Sequence, residues 1–82
     1  MVTVLRAEGL RVVIFTNDHE PAHVHVFGDG EAKIRLGGIG SVPELIRADG
    51  MCRSEVRRAL RIVAANRALL LARWEEIHER GH

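Results

Sequence analysis

Apolar and polar residues alternate with period two in the first half of the chain and recur with period 3.6 in the second, so the register changes once, across residues 37 to 53. "VTVLR" reads as a short strand closed by Glu8 and Gly9. "LRVVIFTN" sets Val12, Val13, Ile14 and Phe15 in succession, as in a strand buried on both faces. Asn17, Asp18 and Pro21 make "NDHEP" a turn. "AHVHVF" and "EAKIRL" then alternate on either side of Gly28-Asp29-Gly30, which signals a hairpin.

The glycines of residues 37–40, "GGIG", exclude regular structure there. Over residues 42–48 two readings compete. Ser41 and Glu44 fit a capping box opening a short helix through Ala48, and "ELIRA" fits a fourth, edge strand. "CRSE" offers a weaker box, with Cys52 at the N-cap and Glu55 three positions on. From Arg53 to Arg80, Val56, Leu60, Val63, Leu70, Trp74 and Ile77 recur at helical spacing. They predict one stripe of a helix ~40 Å long at 1.5 Å per residue, longer than a small sheet can cover. Asn66 falls inside the stripe, where its amide either fixes register against a packed helix or caps a loop carbonyl. The expectation is an α+β fold: a small three- to four-stranded antiparallel sheet with one long C-terminal helix packed on one face. It forms a single domain over 1–82, with the sheet over 2–36, a connecting segment over 37–52 and the helix over 53–80.

Length sharpens this picture. With 82 residues there is room for one small core. Such a domain buries only about 60% of the surface its unfolded chain exposes, so a homo- or hetero-oligomer is expected. Apolar residues at 46% and charged residues at 28% exclude disorder. The net charge is +1, yet eleven of the twelve basic residues are arginine and Lys33 is the one lysine. A single cysteine, Cys52, excludes an internal disulfide and a cysteine-based zinc cage, and points to a reducing cytoplasm. No stretch resembles a secretory leader or a membrane span.

Candidate chemistry gathers on the hairpin. With Phe27 opposite Glu31, His25 falls opposite Lys33 and His23 opposite Arg35. Val24, Val26, Ile34 and Leu36 then lie under the helix, while His23, His25, Glu31, Lys33 and Arg35 share the wet face, within reach of Arg6 or Arg11. Three readings compete for that face. The first is metal binding: two histidines at i and i+2, with Cα atoms ~6.6 Å apart, can address one ion. Glu31, Asp18 or His19 would be the third ligand, and Lys33 and Arg35 oppose a cation. The second is acid-base work on a phosphodiester, with His23 or His25 and Glu31 moving protons and Lys33 or Arg35 holding phosphate; such an enzyme would be ribonuclease-like. The third is a non-catalytic interaction module whose polar sheet face meets water or a partner. Three aromatic residues and no tyrosine argue against a base-stacking platform. No cofactor is expected. On the helix, Arg53, Arg57, Arg58 and Arg61 could meet phosphate or an acidic partner, and Arg57, Arg61, Asn66 and Trp74 are candidate partner-binding residues.

The order "TVLR", "GLR", "EPAHVHV", "GEAKIRL" and "DGMCRSEVRRALRIVAANRALLLARWEEIH" resembles the small bacterial family known as domain of unknown function 4160 over nearly the whole chain. The most specific parts are Pro21, His23, Val24, His25 and Val26, then Glu31-Ala32-Lys33, and the segment from Asn66 to Trp74. Ala22, "VVIFTN" and Cys52 depart from the usual pattern of a second proline, aromatics and a capping serine or threonine. The resemblance implies a component of a gene pair laid out like a toxin-antitoxin module, binding a small cognate protein, with RNA-directed activity as an option. It implies no catalytic residue.

Overall fold

The computed structural model describes residues 1–38 and 40–79, and in it five strands precede two helices. The strands are β1 (Val2–Ala7), β2 (Leu10–Ile14), β3 (His23–Phe27), β4 (Glu31–Arg35) and β5 (Glu44–Asp49), and the helices are α1 (Arg53–Ala65) and α2 (Arg67–Glu79). Each strand pairs antiparallel with the next, giving a five-stranded meander in the order β1-β2-β3-β4-β5. Glu8 and Gly9 join β1 to β2 with φ of 51° and 79°, the left-handed backbone that matches a two-residue turn to strand twist.

Period-two alternation sorts the sheet faces as expected for the hairpin, where β3 and β4 pair His23 with Arg35, His25 with Lys33 and Phe27 with Glu31. Val12, Val24, Val26, Ile34 and Leu36 are fully buried, and Ala59 and Val63 of α1 with Leu70 and Trp74 of α2 complete the same core. Burying each large aliphatic contributes ~1.5–3 kcal/mol, so this face supplies most of the drive to fold.

Two expectations of the fold are corrected. The sheet has five strands, not three or four, and extends to Asp49 because "ELIRAD" is a strand. Glu44 stands opposite Arg35 and accepts its guanidinium at 2.8 Å, so it reaches across the sheet instead of capping a helix at Ser41. The single long helix is also two helices of 13 residues each. At Asn66 the backbone leaves helical geometry (φ −117°, ψ 18°), and the side-chain Nδ2 donates to the Ile62 carbonyl at 2.8 Å. An amide satisfied by its own chain ends a helix as readily as it stabilises one. Arg67 fixes the bend, donating from Nε to the Leu36 carbonyl at 2.8 Å. The expected single rod of ~40 Å at ideal rise is thereby interrupted at Asn66, and the longest dimension of the described chain is 37 Å. The expected helix end at Arg80, like Ile39 of "GGIG", lies outside the described residues.

Glu55 does not close a capping box with Cys52 either. It is buried, and its Oε2 accepts the backbone N–H of Asp29 at 3.1 Å, tying the first turn of α1 to the tip of the β3–β4 hairpin. At that tip a Cβ on Gly30 would run into the backbone of Asp49 and Gly50. None of the described helices is long and apolar enough to cross a membrane.

Candidate functional site

β3 presents His23 and His25 on the sheet face opposite the main core, but that face is not wet at this point. The two residues are only 5% and 7% exposed, which corrects the expectation of a solvated histidine pair. The connection between β2 and β3 covers them. Phe15 packs edge-on against the His25 ring with centroids 4.5 Å apart, and Trp74 lies 5.2 Å from the His23 ring. Asp18 donates its backbone N–H to the Phe15 carbonyl at 3.1 Å and accepts the Phe15 N–H on Oδ2 at 3.3 Å. That local turn holds the Asp18 carboxylate over the histidines.

Each imidazole has one nitrogen committed and one free. His23 Nδ1 lies 2.9 Å from the Pro21 carbonyl, an oxygen that can only accept, so Nδ1 carries the proton. His25 Nδ1 lies 3.0 Å from Glu31 Oε2 and donates to that carboxylate in the same way. In the neutral rings both Nε2 atoms then hold lone pairs. They face Asp18 Oδ2 at 3.2 Å from His23 and 3.5 Å from His25. These distances suit an ion pair, yet neither contact makes a hydrogen bond, and both buried Nε2 atoms lack a partner. One donor atom each from Asp18, His23 and His25 fall within 4.8 Å of one another.

Tetrahedral coordination at ~2.0–2.2 Å sets ligand atoms about 3.3 Å apart; the two distances from Asp18, 3.2 and 3.5 Å, match that spacing, while the whole set spans up to 4.8 Å. The outer partners also match, since metal-bound histidine usually gives its other N–H to a carbonyl or carboxylate, here Pro21 and Glu31. Of the third ligands considered from sequence, Asp18 is the one brought in. Glu31 instead orients His25, and His19 is exposed on the rim. The site opens into a cavity of about 270 Å³ lined by Asp18, His19, Glu20, His23, Lys33 and Ile46, among others. A bulge between Ile34 and Lys33 on the β5 side leaves Ile46 without a β4 partner at this mouth.

The remaining residues singled out from sequence lie elsewhere. Lys33 stands half-buried opposite His25, and exposed Arg35 turns away to Glu44. Arg11 packs over the Phe27 ring at 5.4 Å. Arg61 forks onto Glu8 at 2.7 and 3.2 Å, a hydrogen-bonded pair that holds the Glu8 carboxyl below its usual range. Trp74 is 2% exposed and Asn66 bonds within its own helix, while Arg57 and Arg61 are exposed. Phe15, read from the sequence as a strand residue, and Pro21, read as a turn residue and part of the family pattern, wall and orient the site, and neither reading signalled that role.

A family model described as "Domain of unknown function (DUF4160)" matches residues 9–75. No curated protein and no solved structure is significantly similar to the chain.

Proposed function

The chain belongs to the DUF4160 family, a description that assigns no activity, and from its site we propose that it binds a divalent transition-metal ion through Asp18, His23 and His25. The observation that carries this reading is the pair of buried, unpartnered Nε2 atoms converging beside one carboxylate oxygen. Leaving buried polar atoms unsatisfied costs ~1–3 kcal/mol each, and an ion between them removes that cost. Two imidazoles and a carboxylate suit zinc, iron, cobalt or nickel better than magnesium or calcium. Three protein ligands leave at least one position open, as in catalytic rather than structural sites. Titration of the metal-free protein with cobalt(II), followed by calorimetry, should give one equivalent bound. Asp18→Asn and His25→Gln should each abolish it while the circular dichroism spectrum is retained. Wild-type protein that takes up no cobalt, or variants that bind it equally, would refute the site.

A second reading concerns a partner. All six residues of β5 are exposed, and Val42, Leu45 and Ile46 are 81%, 38% and 45% exposed beside that sheet edge. An uncovered apolar edge favours addition of a strand from another chain. It supports the toxin-antitoxin-like reading, in which a small cognate protein docks there. The product of the adjacent gene should co-purify with the wild type and be lost with Leu45→Lys; failure to co-purify would remove this reading.

A further inference from the structure

Lys33 is the feature that metal binding alone leaves unexplained. It lines the same cavity as Asp18 and His23, stands opposite His25 in the ladder, and is the only lysine or arginine among the cavity's lining residues. Among the described residues no carboxylate lies within ion-pair distance of its ammonium. The nearby acids are engaged elsewhere. Asp18 and Glu31 serve the histidines, and Glu20 at the rim takes the Trp74 indole N–H at 3.5 Å. Arg47, opposite Lys33 on the other side, is held by Asp49 at 3.1 Å.

A half-buried ammonium beside a dication is unfavourable unless an anion stands between them. With an ion at the centre, Asp18 and Glu31 balance its two charges, so the Lys33 ammonium is a positive charge left inside the cavity, while the Glu20 carboxylate stays at the exposed rim beside the Trp74 indole. Resting on the metal reading of the same site, we infer that the open coordination position takes a monoanionic oxyanion, a phosphodiester or a carboxylate, with one oxygen on the ion and another on the Lys33 ammonium. The apolar Ile46 and Pro21 at the mouth suit the organic part of such a ligand. Lysine acts here as a point charge, so Arg35, turned to Glu44, is not needed.

Cobalt(II) reports its own coordination through visible absorption, and this separates the two levels of the inference. Dimethyl phosphate and sodium acetate, added separately to the cobalt-loaded protein, identify which oxyanion the site accepts. At least one should shift the spectrum, and Lys33→Met should weaken that response about ten- to a hundredfold, the loss of one charge-assisted contact, while cobalt still binds at least as tightly because a like charge is gone. Lys33→Arg should retain most of the response. Cobalt binding with no spectral response to either anion, or an equal response in Lys33→Met, overturns the anion site while leaving the metal site standing. No cobalt binding at all overturns both.

Discussion

His23 and His25 differ from ordinary surface histidines in what each ring nitrogen faces. Nδ1 is fixed by a carbonyl or a carboxylate, and Nε2 is buried without a partner beside Asp18. Half of this was legible in the sequence. Period-two alternation put both rings on one face, and the register set by the Gly28-Asp29-Gly30 connection paired them with Lys33 and Arg35. Burial was not legible, since it depends on a turn folding back, and no periodicity encodes where a loop lands. Glu31 tests the orienting role. Glu31→Gln keeps a hydrogen-bond acceptor but removes the carboxylate charge that orients the His25 ring, and metal affinity should fall about ten- to a hundredfold. Competition against a chelator of known affinity measures this. Unchanged affinity would mean that Glu31 merely pairs with Lys or Arg at the surface.

At the scale of elements, the strands announced themselves by alternation and α1 by its apolar stripe, while β5 and the break at Asn66 were hidden by local ambiguity. Ser41 and Glu44 have the spacing of a helix cap, and only the cross-strand contact with Arg35 decides for a strand. The stripe from Val56 to Ile77 continues through Asn66, so periodicity alone cannot see that this amide satisfies Ile62 and that Arg67 pins the turn to Leu36. Glu55 shows the same limit. Its sequence position suits a cap, and its actual bond is to Asp29, 26 residues away. Glu55→Ala removes a buried acceptor from that N–H and should lower stability by ~1–3 kcal/mol, measured as a shift in urea midpoint. Gly30→Ala, forced against Asp49 and Gly50, should destabilise through the same hairpin tip. A loss below about 0.5 kcal/mol in both variants, the range of ordinary surface substitutions, would contradict this role for the tip.

For the whole molecule, the two sheet faces divide the work. One face meets α1 and α2 and holds the chain together, and the other, where the β2–β3 connection and the Trp74 ring cover the histidines, carries the donor set. The division lets an 82-residue chain afford two buried imidazoles, because the core does not depend on them. The account stands on an ion bridging Asp18, His23 and His25. X-ray absorption at the cobalt edge of the one-to-one complex tests it most directly. It should show two imidazole nitrogens and additional oxygen ligands at roughly 2.0–2.2 Å, and the imidazole signal should be lost in His23→Gln and His25→Gln. A shell of oxygens alone, or an imidazole signal that survives both substitutions and so comes from another histidine of the chain, would contradict it.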